Sequence, residues 1–163
     1  MSKSTIWSIA GIVVVIVAVV LIIIFVPNGS SSKKPTNSSA TNTKNTAIIN
    51  TIKANFASFF AANTTMSERQ ALLQNGSQFA QPMQAEFTAL AGQKPSLTIN
   101  SVSLSNATTA QVNYTVNLNG QPVLKDQKGE ALEVNGKWLV SDSTLCQLFS
   151  LSGSTPSICK NIS

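Results

Sequence analysis

The chain has 163 residues, a formal net charge of +5 and 10% charged residues. It contains no histidine, which removes the commonest general base and metal ligand. Apart from Lys33-Lys34 its basic residues are scattered singly, with no basic stripe and no interleaved aromatics; nucleic-acid binding, which needs a concentrated positive face, is thereby excluded.

Residues 1–5 form a short tail carrying Lys3. Residues 6–26 then run IWSIAGIVVVIVAVVLIIIFV without a charge. A helix of that length spans roughly 30 Å, the thickness of a bilayer's hydrocarbon core. Trp7 stands where an interfacial aromatic would anchor. A cleaved signal peptide has a shorter apolar core of about 7–15 residues and small residues at its cleavage site. This run is longer and leads into Pro27-Asn28, so we read it as an uncleaved signal anchor whose partner is the lipid bilayer. No cysteine follows it, which leaves no lipoprotein attachment point. Lys3 and the amino terminus nearly balance Lys33-Lys34 by the positive-inside rule. The expectation is a single-pass cell-membrane protein with its C-terminal domain outside the cytoplasm.

Residues 27–45 are polar and lack apolar periodicity, which predicts a disordered linker. As a coil, a stretch of about 18 residues has an r.m.s. span of roughly 23 Å. Asn-x-Ser/Thr sequons occur at Asn37, Asn63, Asn106 and Asn113, and matter only in a host that glycosylates them.

Residues 46–163 read as one α+β domain. Ile48, Ile49, Ile52, Phe56, Phe59 and Phe60 recur at helical spacing and predict an amphipathic helix over 46–62. Thr65-Met66-Ser67-Glu68 has the capping-box form, and a short helix follows until Asn75-Gly76. A third helix is expected over 77–90, with Pro82 in its first turns, where proline is tolerated. The period then switches to two. Strands are expected over 97–104, with an irregularity near Ser101, and over 110–118, where alternation is unbroken. Asn119-Gly120 predicts a hairpin, and 123–134 returns with an interruption around 125–129. Asn135-Gly136 predicts a second tight turn into 137–141. Asp142 or Ser143 would cap a final helix over 144–151. Helices followed by an antiparallel meander make an α+β arrangement in which the helices cover one apolar face of the sheet.

Cys146 and Cys159 stand outside any CxxC pattern, and a pair of this kind in an exported domain reads most simply as a disulfide. Closing a loop of about 14 residues would contribute on the order of 3 kcal/mol in the chain-entropy account. The alternative is two free thiols. The carboxylates are Glu68, Glu86, Asp126, Glu130, Glu133 and Asp142. Glu68 is absorbed by capping, and Glu130 and Glu133 fall on opposite faces of a strand. With no acid pair, no base beside Cys146 and no GxSxG motif, we expect no enzyme activity, catalytic residue, cofactor or metal.

Several short motifs carry a family resemblance. Phe59-Phe60, the run 71–76 (ALLQNG) with Phe79, the run 110–114 (AQVNY), and the run 136–141 (GKWLVS) followed by Cys146-Gln147-Leu148 resemble the low-molecular-weight mycobacterial secreted antigen family. The resemblance covers roughly residues 46–159 and implies an exported or membrane-tethered protein of actinobacterial type. The element order also resembles the nuclear transport factor 2-like, or cystatin-like, cone. The layout of one span before such a cone is similar to that of membrane proteins associated with mammalian-cell-entry lipid transporters. In a cone, Phe56, Phe60, Phe79, Tyr114 and Trp138 become candidate cavity-lining residues, although core packing is the stronger reading for Tyr114 and Trp138. The expected role is an accessory or interaction module of the cell envelope with an envelope protein partner. The alternative is a binder or carrier of an apolar small molecule or lipid.

Overall fold

A computed structural model describes residues 38–162. The tail, the apolar run 6–26 and the first part of the linker lie outside the described residues. Among the described residues no helix is long and apolar enough to cross a membrane.

Four α-helices and a four-stranded antiparallel sheet make up the domain. The first helix, α1 (Ser38–Phe60), begins earlier than expected and takes in the last part of the stretch read as a disordered linker. Once a helix is nucleated, each added residue contributes a hydrogen bond, and Thr46 Oγ1 also donates to the carbonyl of Asn42 at 2.9 Å. Ile52, Phe56, Phe59 and Phe60 fall on one stripe of α1, and all four are buried. The helix α2 (Met66–Leu72) starts with the expected capping box: Thr65 accepts from the Glu68 amide, and Glu68 reaches back to the Thr65 amide. The helix α3 (Ala80–Leu90) begins three residues later than its pattern suggested, after a run of turns over 74–79. Gly76 explains that delay. A Cβ there would collide with the Gln70 carbonyl, so the chain folds back against its own backbone before it can coil again.

The strands β1 (Ser96–Leu104), β2 (Thr109–Leu118), β3 (Gln121–Val134) and β4 (Lys137–Val140) pair in sequence order. Asn119 and Asn135 take positive φ before Gly120 and Gly136, the backbone of tight hairpin turns that asparagine-glycine pairs favour. The irregularity in β1 is a register shift between Ile99 and Ser101. It moves the inward positions from Leu97 and Ile99 to Val102 and Leu104, because one extra residue reverses parity. The expected interruption in β3 is likewise a bulge rather than a break. Asp126 takes φ +53°, and the register slips between the Gln127–Tyr114 and Leu124–Val116 pairs.

Helix α1 touches both edge strands, β1 and β4, and covers the apolar face between them. The last helix, α4 (Asp142–Leu151), packs on β3. Its cap is Ser141 rather than Asp142 or Ser143: the Ser141 hydroxyl accepts from the Thr144 amide at 3.2 Å. Asp142 is otherwise engaged. Its carboxylate accepts from the Asn75 backbone amide at 3.1 Å and the Asn75 side-chain amide at 2.6 Å. This ties the turn after α2 to the start of α4. Cys146 and Cys159 form the expected disulfide, with Cα atoms 5.4 Å apart.

Candidate functional site

The core is an aromatic stack between α1 and the sheet. Tyr114, central on β2, is fully buried. Its ring lies 6.2 Å from Phe56 and 6.3 Å from Phe60, the latter nearly parallel to it. Gly129 on β3 leaves the room: a Cβ there would come within 2.9 Å of the Tyr114 ring and of the Thr144 methyl. The Tyr114 hydroxyl is buried without a hydrogen-bond partner. Burial also pushes the phenol well above its ordinary pKa, because the anion cannot be solvated there.

The candidate cavity-lining residues divide. Phe56, Phe79 and Tyr114 are core side chains with no exposed surface. Phe60 lines an apolar groove of about 180 Å³, together with Phe87 and Leu90 from α3, Val116 from β2, and Leu148 and Phe149 from α4. Val123 on the β2–β3 hairpin and Leu151 at the end of α4 complete this groove, and each is 49% exposed. Trp138 is nearly buried and borders a different groove of about 650 Å³. That groove runs beside the early turns of α1 at Lys44 and Ile48 and the β1–β2 turn at Asn106. The Trp138 carbonyl accepts from the Asn55 side-chain amide at 2.6 Å, fastening β4 to α1.

Arg69 was given no role by sequence reasoning, and it is buried. Its guanidinium lies 3.7 Å from the centroid of the Phe87 ring and donates to the carbonyls of Phe59 and Ala61. It therefore seals the end of α1, where a cation complements the unpaired carbonyls. Burial lowers its pKa, and the neighbouring Glu68 opposes that shift. The cation–π contact also fixes Phe87 in the wall of the apolar groove.

The acidic side chains are held apart by separate structural partners. Glu68 serves the capping box, and hydrogen bonds from the Thr65 amide and hydroxyl lower its pKa. Glu130 accepts from Gln111 at 3.4 Å; Glu133 accepts from the Gly136 amide. Among the described residues no three His, Cys, Asp or Glu side chains converge as a metal site would require.

These features define a class: a small α+β domain with a disulfide-closed C-terminus, a packed aromatic core and a shallow apolar groove. Residues 45–156 match the model of the low molecular weight antigen MTB12 C-terminal domain family, and the chain belongs to that family. The antigen-like resemblance carried by Phe59-Phe60, Phe79, Tyr114 and Trp138 is thereby borne out. No curated protein matches the chain.

Proposed function

We propose that this chain is a non-enzymatic, membrane-tethered protein of the cell envelope, anchored by residues 6–26, that acts through its extracytoplasmic domain as an accessory or interaction module. We further read the domain as a nuclear transport factor 2-like, or cystatin-like, cone. One observation carries the choice of role. Phe56 and Phe60, which could have framed a cavity, pack on the Tyr114 ring; the apolar groove beside Phe60 holds only about 180 Å³, and the larger groove beside Trp138 has Thr41, Lys44, Asn45 and Asn106 in its walls. Ligand pockets for small molecules run to about 300–1,000 Å³. A groove of this size suits one or two apolar side chains from a protein partner, the anchor-and-pocket arrangement of interface hot spots.

The test is native mass spectrometry of the full chain extracted in mild detergent, wild type against Val123→Asp/Leu151→Asp. A protein partner that accompanies the wild type and leaves the variant supports the reading. A second reading, an apolar-ligand or lipid carrier linked to a lipid transporter, draws on the unpartnered Tyr114 hydroxyl behind Phe60. Co-purifying lipid with no protein partner would favour that reading and sink the first.

A further inference from the structure

The outward face of β1 and β2 differs chemically from everything described so far. Neither strand contains a charged residue, although the chain as a whole carries +5. Its outward side chains are amides and hydroxyls joined across the strands. Asn117 Nδ2 donates to Thr98 Oγ1 at 3.0 Å, Asn113 Nδ2 to Ser101 Oγ at 3.1 Å, and Asn100 Nδ2 to Thr115 Oγ1 at 3.3 Å. Asparagine is depleted in strands, and threonine in its place would favour the extended chain. Three asparagines on one exposed face go against local propensity without adding anything to the core. Such departures concentrate at functional surfaces.

A shallow groove of about 510 Å³ lies on this face, lined by Thr98, Asn100, Thr115 and Asn117 and closed at one end by Pro122, Lys125 and Asp126. The bulge in β3, with Asp126 at φ +53°, places that carboxylate at the groove. Lys125 beside it cancels the charge. The cross-strand bonds use one N–H of each amide and leave the second N–H and the carbonyl oxygen for another molecule.

The occupant follows from what the face offers. It lacks the aromatic and arginine anchors of protein–protein hot spots, the cationic density that a polyanion needs and the apolar area that a lipid needs. It presents neutral groups that both donate and accept, with a carboxylate that can take two neighbouring hydroxyls. We propose that this groove binds an uncharged, hydroxyl-rich polysaccharide. The site is separate from the apolar groove and does not depend on it.

The test is affinity electrophoresis of the full chain in mild detergent, through gels containing dextran, amylose, mannan or galactomannan, with heparin as the polyanionic comparison. At least one neutral polymer should retard the protein, and added salt should leave the retardation unchanged. Asn100→Thr/Asn117→Thr, which favours the strands, should weaken it by about fivefold or more, the equivalent of one lost hydrogen bond. Asp126→Asn keeps a residue that tolerates positive φ and supplies a second variant with the same expectation. Val123→Asp/Leu151→Asp should bind as the wild type does, so a failed apolar groove leaves this result intact. The proposal is overturned if no neutral polymer retards the protein, if the asparagine and Asp126 variants bind undiminished, or if only heparin binds in a salt-sensitive way.

Discussion

The two faces of β2 teach different lessons from alternate residues of one strand. Ala110, Val112 and Tyr114 point inward and are buried without remainder; Gln111, Asn113 and Asn117 point outward and bond across to neighbouring strands. The inner face is decided by volume, because a close-packed interior responds to a single methylene. The outer face is decided by chemistry, since water can replace most of what a mutation removes there. Large effects of substitution on stability therefore belong to one side, and effects on binding to the other.

The sharpest break of that contrast is Trp138→Ala. Its indole is part of the core, so denaturant unfolding should show a loss of about 3–5 kcal/mol; a loss below about 0.5 kcal/mol would place it with surface residues. Next is Cys146→Ser/Cys159→Ser. The bridge spans a sequence separation of 13, and its removal should lower stability by about 3 kcal/mol. Peptide mapping without reductant should recover the two cysteines of the wild type linked, not separately alkylated.

Within the core, Gly129→Ala and Tyr114→Phe should part company. The added methyl collides with Tyr114 and Thr144, and overpacking of this kind costs about 1–3 kcal/mol. Removing a buried hydroxyl that has no partner leaves packing intact and should be neutral or stabilising. Tyr114→Phe should also blunt alkaline unfolding. The folded phenol's pKa is raised, so its contribution is complete below the unfolded value of about 10 and is lost as pH rises above it.

The smallest effect expected is that of Glu68→Gln. The folded pKa of Glu68 is lowered by its bonds to Thr65. Its contribution is therefore present above the unfolded carboxylate value and is lost as pH falls through the folded one. A pH series of melting temperatures should show a shallower acid limb in the variant. The effect is small because the carboxylate is solvent-exposed.

Much of the fold was legible because it rests on short-range rules. The spacing of Ile52, Phe56, Phe59 and Phe60, the Thr65–Glu68 box and the two asparagine-glycine turns each act within a few residues. The boundary errors have the same origin in reverse. Asp142 reads as a helix cap until Asn75, far away in sequence, occupies its carboxylate. The start of α3 is set by the contact of Gly76 with Gln70 rather than by its own apolar pattern. Of the five aromatics read as candidate cavity-lining residues, Phe60 and Trp138 border grooves while Phe56, Phe79 and Tyr114 are core, a division that packing alone sets. The role of Arg69 against Phe87 had no sequence signal, because its three partners, Phe59, Ala61 and Phe87, all lie outside its own helix.

The amino-acid order by itself determined the mixed architecture, the pairing of two lone cysteines and the family, since periodicity, turn residues and motif spacing are all written along the chain. Only the tertiary structure decided which aromatics fill the core and which wall a groove, that Ser141 caps α4, and that the outward side chains of β1 and β2 join in an array of amides and hydroxyls. Those outcomes depend on distant segments meeting in space, where volume and hydrogen-bond partners are shared out among residues the chain keeps far apart.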